Sequence, residues 1–408
     1  MGINLFVVLV IAGGWAAARL AARLRLPGIL GMLLFGIGFG IISGSRIPLL
    51  AWDIEPFLKT VALLIILLRA GLGIRRQTLH RVGRTAVLLA VVPCTLEALA
   101  LAPLLHLVFG LEWMTAGMAA WMLSAVSPAV VVPSMLELKE RGFGERNEIP
   151  TMVLAGASVD DVIAITFFSV FLGLAGMNAG MVDAPGVGPG SLGLTAGDAL
   201  ARLALVPFSV AGGILVGGAV GLALAWWFRR HAAGVRATEK ALLVLMLALV
   251  LVEIGEVIAV AALLGVMTVG FVLLERAETV AHELAGKLAK LWIPAEIILF
   301  VYIGIQVDPR VAMETGLLGL ACIAAGLLAR SIGVLLVTAA DRRLNWGERF
   351  FCAAAYLPKA TVQAALGTVP LAAGIPGGGI ILSLAVISIL STAPLGLVLI
   401  RLLGPKLR

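Results

Sequence analysis

The sequence predicts an all-α, polytopic membrane protein with about 13 transmembrane helices. Of its 408 residues, 61% are hydrophobic and only 13% are charged, and the mean hydropathy is +1.10. Apolar stretches long enough to cross a bilayer follow one another along the whole chain. This composition excludes an ordinary soluble domain and makes the lipid bilayer the expected surroundings of the protein.

The predicted spans are separated by mostly short connections, and the basic residues fall mainly in alternate ones. The spans cover residues 3–22, 27–44, 55–73, 83–109, 113–136, 149–175, 198–228, 239–254, 257–275, 286–306, 313–339, 348–370 and 376–402. Arg and Lys follow the odd-numbered spans, as in IRRQTLHRVGR after the third and DRRLNWGER after the eleventh. The positive-inside rule therefore predicts an external N-terminus and a cytoplasmic C-terminus. The same rule accounts for the net charge of +7, so no nucleic-acid partner is expected.

An internal repeat relates the first six spans to the last six. LIILLRAGLGIRR around Gly71 resembles IILFVYIGIQVDP around Gly304, at an offset of 233 residues. The same offset carries Glu97 onto Arg330, each in the middle of a long apolar span. The seventh span is then a linker, and an odd linker inverts the second copy. Inverted repeats are typical of secondary transporters whose site lies near the midplane of the bilayer.

Two prolines occupy similar positions in the two copies, Pro128 in SAVSPAVVVPS and Pro358 in AYLPKATVQAA. A proline inside a helix removes a hydrogen bond and clashes with the preceding turn. The carbonyls freed in this way need other partners in lipid. The two prolines therefore predict two discontinuous helices beside the transport site, where carbonyl oxygens, the Ser127 hydroxyl and Thr361 are candidate ligands.

Two adjacent aspartates, Asp160 and Asp161, lie near the middle of the sixth span in TMVLAGASVDDVIAITFFSVFLG. A carboxylate at this depth costs about 2.5–3.5 kcal/mol on insertion scales, so such residues usually serve a proton relay or a cation site. Glu97, Arg330 and Lys359 also fall near the middle of their spans. Consecutive helical residues point about 100° apart, so the two aspartates are expected to have different partners.

We expect one aspartate to face a water-filled cavity while its neighbour pairs with a base. Lys359 is the predicted partner of Asp160, and Glu97 is predicted to form a structural ion pair with Arg330. Asp161 is the predicted metal ligand for Na⁺, with Asp160 as a possible second ligand, because hard cations prefer oxygen. Proton and cation would then compete for the one charge on Asp161.

Two other function classes are open to a chain of this kind. A sodium-coupled symporter of an organic anion could use the same inverted-repeat fold, but its substrate would need uncompensated basic groups or helix N-termini. An intramembrane aspartyl protease would need two carboxylates facing each other across one site. Adjacent residues on one helix do not provide that arrangement, so the protein is not expected to be an enzyme.

SAVSPAVVVPSM, ASVDDVIAIT and LPKATVQAALG resemble the NHA-type branch of the cation/proton antiporter superfamily, and the chain looks like a bacterial homologue. The resemblance covers the whole chain and implies the NhaA-like fold with two crossed discontinuous helices. It implies exchange of Na⁺ or Li⁺ for H⁺ by an elevator-type movement in a homodimer. It also implies a bacterial inner-membrane location and no cofactor besides the transported ions.

The same resemblance divides the chain into two kinds of domain. Residues 1–82 and 237–310 match dimerisation and scaffold helices, 83–176 and 311–408 match the transport core, and 177–236 match an external loop with linker helix 7.

By the same resemblance, individual residues take on the family's roles. Asp161 becomes the ion and proton carrier, and Asp160 pairs with a base. Glu97 and Arg330 match the branch's acid–base pair. Arg330 stands where many relatives have lysine, and arginine stays charged at essentially any pH, so Arg330 is excluded as a proton carrier.

Overall fold

The structure is a computed structural model that describes residues 1–24, 26–73, 76–144, 146–178, 196–231, 234–258, 260 and 262–407. The regular secondary structure in these ranges is entirely helical. Eight of the described helices are long and apolar enough to cross a membrane, and shorter apolar helices accompany them. The predicted all-α membrane fold is thereby confirmed, whereas the number of 13 spans stays a prediction. The external loop predicted within 177–236 falls largely on residues 179–195, outside the described ranges.

The helices correspond to the predicted spans, although those of the third, fourth and tenth spans begin six to eight residues earlier than predicted and the proline segments divide two spans. In chain order they are α1 (Ile3–Arg23), α2 (Gly28–Ser43), α3 (Leu49–Gly73), α4 (Arg76–Phe109), α5 (Trp113–Ser124), α6 (Pro128–Glu140), α7 (Ile149–Asn178), α8 (Ala196–His231), α9 (Ala237–Ile258), α10 (Ala262–Arg276), α11 (Glu278–Gln306), α12 (Pro309–Ala340), α13 (Trp346–Ala355), α14 (Thr361–Leu366), α15 (Val369–Ala372) and α16 (Gly378–Leu403). The fifth predicted span is therefore α5 and α6, and the twelfth is α13, α14 and α15. Both predicted helix breaks are present.

Polar caps fix the start of two helices in the second half of the chain. The Asp308 carboxylate accepts a hydrogen bond from the Arg310 N–H at 2.8 Å, directly before α12. At the start of α13, Asn345 and Glu348 form a reciprocal capping box, each side chain accepting from the other's backbone N–H. These caps satisfy N–H groups that have no partner within the helix, so the chain can begin a helix at these points.

The described chain divides into two compact units. One consists of residues 1–53, 78–171 and 297–408, and the other of residues 54–77 and 172–296. The first unit contains both helix breaks and the five charged residues predicted to lie at mid-membrane. The assignment of segments to a transport core and a dimerisation scaffold stays a prediction.

The same close helix contact occurs once in each unit, between residues related by the repeat. In the first unit a Cβ on Gly36 of α2 would lie 3.0 Å from the Cα of Gly304 on α11. In the second unit a Cβ on Gly71 of α3 would lie 3.1 Å from the Cα of Gly270 on α10. The repeat offset carries Gly71 onto Gly304 and, within one residue, Gly36 onto Gly270. Small residues let helix backbones approach in a membrane, and the matched pairs support the inverted repeat.

Replacing Gly304 with alanine is expected to destabilise the first unit. The new methyl group would collide with the backbone of α2, which cannot move aside as a flexible side chain could. We expect a loss of about 1–3 kcal/mol in the free energy of unfolding, measured as a lower thermal midpoint in detergent. Gly286→Ala on the same helix is the control, because a Cβ there meets open space. An equal loss in both variants would contradict the packing role of Gly304.

Asp341 ties the end of α12 to the start of α4, just beyond the membrane-spanning segment. Its carboxylate accepts from the Thr85 hydroxyl at 3.0 Å and from Arg343 Nη2 at 2.7 Å. The hydrogen bond from the Arg343 side chain is the main cause that lowers the pKa of Asp341 from 3.8 to about 2. A lowered pKa means that the ionised form stabilises the fold at pH values above 3.8. This contribution is lost as the pH falls towards 2.

Asp341→Asn is expected to lower the stability of the protein at neutral pH by about 0.5–1 kcal/mol, since its partner Arg343 is 63% exposed and solvent weakens the ion pair. The difference from the wild type should shrink as the pH falls below 4, where the wild-type carboxylate takes up a proton. Thermal melts in detergent from pH 3 to 7 measure it, with Asp53→Asn at an exposed position as the control. A difference independent of pH would show that ionisation of Asp341 is irrelevant.

Candidate functional site

The first helix break is a three-residue extended segment between α5 and α6. Ala125 and Ser127 both have extended backbone angles, and Ala125, Val126 and Ser127 are fully buried. Pro128 begins α6. Proline disfavours the helical conformation in the residue before it and is well suited to the first turn of a helix. The sequence Ser127-Pro128 therefore ends one helix and starts the next inside the protein.

The second helix break runs from Tyr356 to Ala360, between α13 and α14, and includes Pro358. The segment is almost entirely buried. The backbone N–H of Lys359 donates to the Thr392 hydroxyl of α16 at 2.8 Å, which satisfies a donor that the break would otherwise leave without a partner. This bond also fixes the point from which the Lys359 side chain starts.

The two breaks meet in one place. The Ser127 N–H donates to the Pro358 carbonyl oxygen at 2.8 Å. The Val126 N–H donates to Asp160 Oδ2 at 3.0 Å, and the Ala125 carbonyl accepts from Gln363 Nε2 at 3.0 Å. Three consecutive residues of the first break thus bind three different elements. This arrangement agrees with the predicted crossing of two discontinuous helices.

A network of buried charges lies beside the breaks. Glu97 on α4 forms ion pairs with Arg330 on α12 and with Lys359, whose Nζ is 2.7 Å from Glu97 Oε2. Arg330 Nη1 is 3.2 Å from Asp160 Oδ1 on α7. None of these four side chains is more than 1% exposed. Buried charges are tolerated when each has an opposite charge and hydrogen bonds, as here.

Close packing of α4 on α12 brings the repeat-related residues of this network together. Gly333 lies nearly one turn beyond Arg330, and a Cβ there would be 2.8 Å from the Cα of Pro93 on α4. Only a residue without a side chain permits this approach. The predicted pair of Glu97 and Arg330 is present for this reason.

The predicted pairing of Asp160 with Lys359 is wrong. Lys359 binds Glu97, and Asp160 binds Arg330 instead. The physical reason is that the guanidinium group of Arg330 presents several donors in a planar fork and can serve two carboxylates at once. The lysine ammonium is a single compact charge, and its backbone position places it at Glu97.

The two bases of the network are balanced by Glu97 and Asp160, which leaves Asp161 without an ion pair among the described residues. Asp161 is only 5% exposed. Its Oδ1 atom is buried and has no hydrogen-bond partner in the part of the chain that the structure describes. Buried polar atoms are normally hydrogen-bonded, so this oxygen calls for a ligand.

Four further side-chain oxygens share this condition: Ser127 Oγ, Tyr356 Oη, Thr361 Oγ1 and Gln363 Oε1 are all buried without a partner in the described ranges. Each belongs to a helix break or to the helix directly after one. Oxygen is the ligand atom that hard cations prefer, so these side chains and Asp161 have the chemistry of candidate cation ligands.

The remaining predicted ligands are less available. The Pro358 carbonyl already accepts the Ser127 N–H, and the side chain of Pro128 lies outside the described parts of the structure. Gln363 was not predicted from the sequence. Its signal was a lone polar residue in the apolar stretch TVQAAL, and nothing in the spacing separated it from its neighbours.

Comparison with known proteins identifies the family of this chain. The family model for the transmembrane sodium/hydrogen exchanger matches residues 6–403. The chain belongs to the sodium/hydrogen exchanger family. It is 33% identical to mouse sodium/hydrogen exchanger 9B2 over 396 residues, which cover 93% of this chain and 68% of the mouse protein. The human 9B2 protein is also 33% identical, with coverage of 94% and 70%. The protein is therefore an integral, multi-pass membrane protein whose relatives are transporters.

A solved structure confirms the fold class. The structure of the sodium proton antiporter MjNhaP1 from Methanocaldococcus jannaschii matches with a TM-score of 0.76 and 21% sequence identity. The match covers 98% of this chain and 97% of the archaeal one. At this level of identity the likeness shows the fold, and the family of the chain rests on the matches described above. The NHA-type branch and a bacterial origin stay predictions.

Glu97→Gln is expected to destabilise the protein strongly. The variant leaves Arg330 and Lys359 with one carboxylate fewer in a fully buried site, and breaking such a network costs about 3–5 kcal/mol. Glu137→Gln is the matched control, because Glu137 and its partner Arg141 are 53% and 62% exposed and the pair contributes about 1 kcal/mol at most. Unfolding in detergent measures both. Similar losses in the two variants would contradict a central role for Glu97.

Proposed function

We propose that the protein exchanges Na⁺ or Li⁺ for H⁺ and that Asp161 is the shared carrier. The observation that carries this proposal is that Asp161 is buried without an ion pair among the described residues, beside a network whose charges are already balanced. Either a proton or a monovalent cation neutralises this carboxylate. Because one charge can be neutralised only once, binding of one excludes the other.

The neighbouring aspartate has a different role. Asp160 Oδ1 binds Arg330 and Asp160 Oδ2 accepts the Val126 N–H, so both oxygens are already engaged. Asp160 therefore anchors the first break to α7, next to the carrier, and is the weaker candidate for a cation ligand. The membership of the chain in the sodium/hydrogen exchanger family supports Na⁺ and H⁺ as the exchanged ions.

The wider mechanism follows from the resemblance to the NHA-type branch. Residues 83–176 and 311–408 form the moving transport core of an elevator, and 1–82 and 237–310 form the scaffold of a homodimer. The protein resides in a bacterial inner membrane, and the loop charges orient its N-terminus outwards.

The pairing of the buried charges argues against the alternative of an organic-anion symporter. An anionic substrate would use a basic group that no acid neutralises or a helix N-terminus. The bases Arg330 and Lys359 are both bound to carboxylates, so the first of these is not available in the network. The proposed substrates are accordingly cations.

Asp161→Asn is expected to abolish exchange. The amide cannot take up a proton or supply a negative charge, so addition of Na⁺ or Li⁺ should no longer change the internal pH of vesicles that contain the purified protein. Asp53→Asn, at an exposed position, is the control and should exchange like the wild type. Exchange at the wild-type rate in Asp161→Asn would remove Asp161 from the role of carrier, and a wild-type protein without exchange would refute the proposed function.

Competition at one carboxylate also predicts the pH dependence of transport. The apparent KM for Na⁺ should rise as the pH falls, approaching about ten-fold per pH unit where the proton-bound form dominates, while the maximal rate at saturating Na⁺ changes less. Initial rates over a matrix of pH and Na⁺ concentrations measure this. A KM that does not depend on pH would show that cation and proton bind at separate groups.

A further inference from the structure

Gln363 joins the two helix breaks through its side-chain amide. It lies on α14, directly after the second break, and is fully buried. Its Nε2 donates to the carbonyl oxygens of Met122 at 2.9 Å and Ala125 at 3.0 Å, at the end of α5. The last carbonyls of a helix have no partner within it, and in a membrane they must be satisfied by protein. Gln363 provides this partner.

The two carbonyl contacts also determine which way the amide faces. If the amide were turned over, Oε1 would face two carbonyl oxygens and repel both, so the hydrogen-bond network assigns the nitrogen to this side. The oxygen and nitrogen share one carbon in a planar group. Fixing Nε2 therefore fixes Oε1 as well.

Oε1 of this fixed amide is buried and has no partner among the described residues. Ser127, whose hydroxyl oxygen is in the same condition, lies two residues after Ala125, whose carbonyl accepts from Gln363. An amide carbonyl is a strong acceptor, and its burial without a partner is costly unless a ligand is present for part of the cycle.

We propose that Gln363 determines cation selectivity: its NH₂ group clamps the end of α5, and its Oε1 is an oxygen ligand of the transported ion. This inference rests on the proposed function of the site at Asp161. Selectivity among hard cations depends on the number, placement and flexibility of the oxygen ligands. An oxygen held by two hydrogen bonds on the same amide cannot adjust freely to ions of different radius, so it discriminates between Li⁺ and Na⁺.

If Gln363 is a cation ligand, its loss affects the binding of cations and not the binding of protons. Glutamine does not titrate, so its loss should change the affinity for cations and leave the affinity of Asp161 for protons in place. A purely structural clamp would instead lower stability and maximal rate without changing the ratio of the KM values for Li⁺ and Na⁺.

Two variants test the proposal in reconstituted vesicles. Gln363→Leu removes both amide atoms and should raise the KM for Na⁺ about ten-fold, equivalent to about 1.4 kcal/mol, and change the Li⁺ to Na⁺ KM ratio. Gln363→Glu keeps Oε1 and, when protonated, still donates to one carbonyl from its O–H, so its KM for Na⁺ should stay closer to the wild type than that of Gln363→Leu. The ligand role is overturned if both variants lose maximal rate with an unchanged KM ratio.

A second measurement does not require transport. Na⁺ or Li⁺ should raise the thermal midpoint of the wild type in detergent, by mass action on the folded state, and this increase should shrink in Gln363→Leu and persist in Gln363→Glu. If Gln363→Leu does not fold, Gln363→Asn, which keeps the amide but draws its oxygen back, is measured instead, and stabilisation by Na⁺ and Li⁺ equal to the wild type would overturn the proposal. Wild type without exchange but with Gln363-dependent stabilisation would refute the proposed function only. Exchange with unchanged KM values in Gln363→Leu would refute this inference only.

Discussion

The ion pairs around Glu97 are the interaction on which the rest of the site depends. One buried carboxylate lies between an arginine from α12 and a lysine from the second helix break. Through Arg330 the same network reaches Asp160 on α7, and through Asp160 it reaches the backbone of the first break. A buried charge that loses its partner is far more costly than an exposed one, so these contacts persist together or fail together.

Burial of these charges separates the two adjacent aspartates into different roles. Side chains of consecutive helical residues diverge by about 100°, so only one of the pair can reach Arg330 and the Val126 N–H. That residue is Asp160. The other, Asp161, remains an acid without an ion pair among the described residues, and its buried Oδ1 has no hydrogen-bond partner there. The charges of Glu97, Arg330, Lys359 and Asp160 balance one another, whereas the carboxylate of Asp161 is not balanced. This difference is a physical basis for reversible neutralisation of Asp161 alone.

The sequence was sufficient to predict the helix breaks and the presence of the buried charges. Proline alone does not decide a break, since Pro93 and Pro103 lie inside the continuous helix α4. The similar positions of Pro128 and Pro358 in the two repeats distinguished them, and charged residues in apolar spans are visible by composition. The repeat also predicted that Glu97 and Arg330 would correspond, and the structure places them in contact.

The choice of partners could not be predicted in the same way. Depth in the membrane made Lys359 and Arg330 equally suitable for Asp160, and only the position of the Lys359 backbone, held by Thr392, and the reach of the guanidinium group decide between them. Gln363 was missed because its importance comes from carbonyls on a distant segment. The contact of Gly36 with Gly304 likewise depends on the helix packing and not on either local sequence.

The hydrogen bonds on Ala125, Val126 and Ser127 have a consequence for the energetics of ion binding. Loops that bind ions often become ordered only when the ion arrives, and the entropy lost then weakens the affinity. Here each residue of the loop is already held by a different partner. The ordering is completed when the protein folds, so the proposed cation site is preorganised and no further entropy of the loop is lost on binding. A preorganised site fits one ion closely and accepts a narrower range of other ions. This narrow range suits a protein that exchanges one small ion.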